Sequence, residues 1–76
     1  MNDPVGEFVE EYLERSEGSK IKVKEVLDLY VNTYRINVKP KERGALKVPF
    51  SNVLGEIYDS KNNGRAYWND WTVRNE

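Results

Sequence analysis

Val5, Phe8, Val9, Tyr12 and Leu13 fall at i, i+3, i+4, i+7 and i+8, the spacing of one face of an α-helix. Asp3 is suited to cap this helix and Pro4 to occupy its first turn. Gly18 stops it, so the expected span is about 4–16. Ile21 and Val23 alternate with Lys20, Lys22 and Lys24, which predicts a short strand over about 21–23. Val26, Leu27, Tyr30 and Tyr34 return to helical spacing over about 24–35, with no good N-cap in front. Residues 36–47 read as a linker with Pro40 and Gly44. A third helix is expected over about 49–59, where Phe50, Val53, Leu54, Ile57 and Tyr58 repeat the stripe, before the turn residues Ser60 to Gly64.

The segment at about 65–74 predicts a β-hairpin. With Asn69 and Asp70 as a two-residue turn, Trp68 faces Trp71 and Ala66 faces Val73, giving one apolar sheet face. Arg65, Tyr67, Thr72 and Arg74 then share the other face, with Arg65 opposite Arg74, a like-charge pair that an anion would relieve. Asn62-Asn63-Gly64 is a competing turn that would shift the pairing. Helix, short strand, helix, helix and C-terminal hairpin make an α+β chain in the winged-helix order, within one domain over residues 1–76. A three-helix bundle with an irregular tail and a hairpin laid on two helices are the alternatives.

Composition narrows the chemistry. The 76 residues contain no cysteine and no histidine, which removes disulfides, Cys/His zinc sites, thiol nucleophiles and the usual general base. No phosphate-cradling glycine loop occurs. Glu7, Glu10, Glu11 and Glu14 lie on one helix and cannot converge on a metal ion. A non-enzyme without cofactor or metal is expected. No apolar run reaches the roughly 18 residues of a membrane span and no signal-peptide pattern is visible, so a soluble cytoplasmic protein is expected.

The net charge of −1 hides a segregation. Residues 1–17 carry six acids against Arg15 alone, whereas the rest carries seven acids against eleven bases. An acidic first helix and a basic remainder suit a nucleic-acid binder that keeps its acids away from the phosphates. Two Trp, five Tyr and two Phe supply the core of so short a chain.

Val23 through Tyr34 (Val-Lys-Glu-Val-Leu-Asp-Leu-Tyr-Val-Asn-Thr-Tyr), then Phe50-x-x-x-Leu54 and the aromatic stretch Arg65 to Val73, carry a family likeness. Over residues 5–74 the chain resembles the C-terminal winged-helix module of phage, plasmid and poxvirus-type replicative primase–helicases. The resemblance implies DNA binding or replisome contact in a virus or mobile element. It implies no helicase activity, because the ATPase part that precedes that module has no counterpart here.

Used in the usual winged-helix way, the third helix would enter the major groove and the wing would touch the backbone or minor groove. Asn52 would read adenine and Glu56 would accept from cytosine N4. Lys47 and Ser51 at the helix start, Lys39, Lys41 and Arg43 from the linker, and Arg65, Tyr67, Thr72 and Arg74 from the wing would meet phosphates. The plain alternative for each base is a solvated surface charge. Double-stranded DNA is the expected partner, in transcription regulation or DNA replication. The rival is a protein–protein interaction module, a homodimer included, because no base lies inside the third helix. A DNA-mimicking inhibitor is disfavoured, since six acids are too few to imitate a duplex.

Overall fold

The computed structural model describes residues 4–60 and 65–74, without the side chains of Ser60 and Arg65. The chain runs α1 (Pro4–Tyr12), β1 (Leu13–Lys22), α2 (Val23–Tyr34), α3 (Pro40–Ala45), α4 (Lys47–Leu54), β2 (Ile57–Ser60) and β3 (Arg65–Val73). The architecture is α+β. Three helices of 8 to 12 residues and one of 6 pack on an antiparallel sheet in the order β1-β3-β2.

One apolar stripe on each of α1, α2 and α4 and one face of the sheet close the core. Val5, Phe8 and Val9 of α1 meet Val26, Leu27 and Tyr30 of α2, Phe50 and Leu54 of α4, and Leu13, Ile21, Trp68 and Trp71 of the sheet. Phe8, Tyr30 and Phe50 form a closed triangle with ring centroids 5.2 to 5.8 Å apart and planes crossed at 85 to 89°. Edge-to-face contact sets each ring's positive rim against its neighbour's negative face.

Several boundaries differ from the sequence pattern. The first helix ends at Tyr12 rather than near 16, because Leu13, Glu14 and Arg15 pair with Val73, Thr72 and Trp71. Buried Leu13 satisfies a helical stripe and a strand equally, so periodicity alone misassigned it. The strand expected at 21–23 therefore extends from Leu13 to Lys22, and α2 starts at Val23. The cap assigned to Asp3 lies outside the described residues.

The 36–47 linker is partly helical. Pro40 fits the first turn of α3, and an ion pair from Arg43 to Asp28 ties that helix to α2. The third predicted helix, 49–59, is replaced by α4, which starts earlier and stops at Leu54, and by β2. Gly55 makes this break at φ 105° and ψ −170°, a region open essentially to glycine alone. Tyr58, moved onto β2, is consequently 53% exposed instead of lying in the core, and Val53 within α4 is 40% exposed.

The 65–74 hairpin is also corrected. β3 continues through Asn69 and Asp70, pairing with β1 on one side and with β2 on the other. Arg65 and Arg74 thus sit at opposite ends of one strand and do not oppose each other. The competing turn at Asn62-Asn63-Gly64 lies outside the described residues.

Asp70 does adopt a left-handed conformation, φ 69°, but as a kink within the strand. Opposite it, Ser16 to Ser19 bulge out of β1 as the register passes from Arg15↔Trp71 to Lys20↔Asn69. Gly18, φ 87°, donates its N–H to Asp70 Oδ1 at 3.1 Å. The kink changes the phase of side-chain alternation. Residues three apart on a regular strand face opposite sides, yet Trp68 and Trp71 are both buried. Their indole N–H groups donate to the carbonyls of Gly55 (3.1 Å) and Leu54 (3.0 Å).

The last carbonyls of α1 are satisfied from a distance in sequence. Arg74 donates its backbone N–H to Tyr12 O at 2.8 Å and its guanidinium to Glu10 O and Leu13 O at 3.1 and 3.2 Å. A cation there also complements the negative end of the helix. Its pair with Glu14, at 3.8 Å and half-exposed, adds little. Arg74→Ala is expected to cost about 1 kcal/mol or slightly more, the worth of charged hydrogen bonds near solvent. Thermal melting followed by circular dichroism should show a midpoint lower by about 5–10 °C.

Candidate nucleic-acid interface

Four of the bases that sequence order scatters are gathered at one place. A groove of about 610 Å³ opens where α2 begins, bounded by α3, the start of α4 and β3. Lys22, Lys24, Arg43 and Lys47 line it, with Leu27 and Ala66 among its apolar residues, and no carboxylate is part of the lining. Both α2 and α4 start beside it without a side-chain cap, which sets the positive ends of two helices at the groove.

The acids of α1 lie elsewhere, whereas Asp28 of α2 is paired with Arg43, and Glu25 and Glu42 belong to the first turns of α2 and α3. Glu7, Glu10 and Glu11 belong to α1, which packs against α4 and β1. The Tyr34 hydroxyl, at the far end of α2, titrates above its ordinary value of 10.0, through desolvation first and then through Glu11, Tyr12 and Glu7. That end is about 15 Å from Lys24 at 1.5 Å per helical residue. One helix thus has its first turn in a cationic groove and its last turn beside an acidic face.

The site residues named from sequence divide into three groups. Lys47 and Arg43 line the groove, and exposed Lys39 and Lys41 belong to the start of α3 beside it. Ser51, half-buried, and Asn52, exposed, lie further along α4, where Val48 and Val53 are 66% and 40% exposed. Glu56 follows the helix instead of belonging to it, because Gly55 ends α4 first. In the sheet, Tyr67 is half-buried beneath Lys20, whose Nζ lies 4.7 Å from the ring centroid. Thr72 pairs with Glu14 and Arg74 is engaged with α1, both remote from the groove. Arg65 opens β3 opposite Ser60, and its side chain lies outside the description.

Lys22 and Lys24 were not among the residues singled out from sequence. Their alternation with Ile21 and Val23 was the available signal, since it places apolar residues inward and lysines outward at the mouth of α2. Among the described residues no group of His, Cys, Asp and Glu is placed to hold a metal ion, and no helix is long and apolar enough to cross a membrane. No protein-family model, curated protein or solved structure matches the chain.

Proposed function

We propose that the chain is a winged-helix domain that binds duplex DNA through the cationic groove, in replication or transcription. The observation that carries this reading is the convergence of Lys22, Lys24, Arg43 and Lys47 with two uncapped helix N-termini, away from the acids of α1. Phosphates are the natural ligands of such a site. The order α1-β1-α2-α3-α4-β2-β3, with the six-residue α3 as an extra turn of helix in the α2–α4 connection, and the β1-β3-β2 sheet support the winged-helix assignment. The resemblance to the primase–helicase module favours replication.

The geometry favours backbone contact over base reading. Beyond Lys47 at its start, α4 exposes Asn52 as a polar residue, and its neighbours Val48 and Val53 offer no hydrogen bonds to base edges. Phosphate contacts fix orientation without carrying sequence information. Binding is therefore expected to be strongly salt-dependent and weakly sequence-selective.

The test is an NMR titration of the labelled domain with a short mixed-sequence duplex at low and at higher salt. Amide shifts at Lys22, Lys24, Arg43 and Lys47 that fade with salt are expected. Absence of shifts at low salt would retire the duplex reading. Exposed Val48 and Val53 favour one other reading, a protein partner seated on α4. A concentration-dependent shift confined to α4 without DNA would select it.

A further inference from the structure

The two faces of the sheet differ in chemistry. Ile21, Trp68 and Ile57 are aligned across β1, β3 and β2 on the face that meets the helices. The next row belongs to the opposite face. There Tyr67 is flanked by Lys22 on β1 and by Tyr58 on β2, and Lys20 pairs with Asn69 one step further. Tyr58 is 53% exposed, one of the most exposed large apolar side chains described. None of these five residues carries a negative charge.

Two aromatic rings side by side on a sheet, bordered by ammonium groups, match the chemistry of unpaired bases. Every base has a π-face that stacks on an aromatic ring, and its phosphate seeks a cation. Directly paired cross-strand residues are about 4.5–5.5 Å apart, so neighbouring bases of one strand can meet Tyr58 and Tyr67 together. The groove and this face meet at Lys22, which lines the former and neighbours Tyr67 on the latter.

We propose that the outer sheet face is a second binding site, on which Tyr58 and Tyr67 stack the bases of single-stranded DNA while Lys20 and Lys22 hold its phosphates. Lys20 swings from the Tyr67 ring to a phosphate as the base takes its place. The choice of DNA over RNA rests on the duplex reading, through the continuity at Lys22. The stacking face itself stands without it. Together the two surfaces would fit a junction where duplex opens into single strand.

The test uses an oligothymidylate of about ten nucleotides, in the range of single-strand site sizes, with an oligouridylate of equal length as comparison. Fluorescence anisotropy at low salt should show oligothymidylate binding that Tyr58→Ala weakens at least 5-fold, the lower end for one lost stacking contact. Lys20→Ala should weaken it less, and an NMR titration should place the shifts at Tyr58 and Tyr67. Tyr58→Leu, which keeps an apolar side chain without a stacking ring, should reproduce the alanine result if Tyr58→Ala folds poorly. No binding, a Tyr58 variant that is folded and binds like the unaltered chain, or shifts at Lys24 and Lys47 alone would overturn the stacking face. Tighter binding of the RNA strand would overturn the assignment to DNA. Failure of the duplex titration alone leaves these readouts intact, so the two readings fail separately.

Discussion

Trp68→Ala is expected to remove most of the stability of the fold. Trp68 is fully buried in the central strand, aligned between Ile21 and Ile57, and its ring lies 6.0 Å from that of Phe50. Truncating a buried aromatic to alanine costs about 3–5 kcal/mol. A chain of 76 residues has on the order of 4–11 kcal/mol in total, at 0.05–0.15 per residue. The loss also strips the Gly55 carbonyl of its indole donor, at the one backbone position that turns α4 into β2. Urea unfolding should show a greatly lowered midpoint or no cooperative transition. Trp68→Phe separates the two contributions. It keeps an aromatic ring against Phe50 and loses the hydrogen bond, so it should fall between the unaltered chain and Trp68→Ala. A Trp68→Ala variant that melts within about 5 °C of the unaltered chain, where 1 kcal/mol is worth about 4–8 °C, would contradict this account of the core.

The core was legible in the sequence because burial leaves a periodic trace whatever the element. Val5, Phe8, Val9, Val26, Leu27, Tyr30, Phe50 and Leu54 all lie in helical stripes and all are buried. Element type was less legible. Leu13 and Ile57 suit a stripe and a strand alike, and only their partners on β3, more than ten residues away in the chain, decide between them. The same holds for Asn69-Asp70. Both residues tolerate a positive φ, which locally favours a hairpin turn. Pairing with β1, more than 45 residues earlier, instead makes Asp70 a kink that brings both tryptophans to one side.

The candidate site was legible only in part, for a related reason. Arg65 and Arg74 looked like a cationic pair because a hairpin would have put them together, and a single strand separates them by its whole length. Arg74 then serves the junction of α1 and β1, where the carbonyls of Glu10, Tyr12 and Leu13 accept from it. Lys47 and Arg43 met Lys22 and Lys24 only through the packing of α3 and α4 on the start of α2. No local pattern encodes that meeting. The ion pair of Arg43 with Asp28 contributes to it, holding α3 against α2 and keeping a guanidinium at the groove's edge.

The second large effect is expected for Lys24→Glu combined with Lys47→Glu. Both residues are exposed, so the reversal leaves the core untouched, and they come from the two helix starts that face the groove. Each phosphate contact adds about 0.9 to the slope of log affinity against log salt. Lys22, Lys24 and Lys47, with Arg43 committed to Asp28, therefore predict a slope of about −3, and the double variant should lose about two of it. Extrapolated from molar salt to about 50 mM, two contacts correspond to an affinity loss on the order of 100-fold, before any repulsion from the introduced carboxylates. Anisotropy titrations of one duplex across a salt series measure slope and affinity together. Arg74→Glu is the informative comparison, because it reverses one such charge, half of the double variant's change, at a site committed to α1. Its effect should appear in the melting midpoint and leave the salt slope nearly unchanged. A slope that falls for Arg74→Glu by half as much as for the groove pair, in proportion to the charge reversed, would mean that net charge, and not the groove, governs binding.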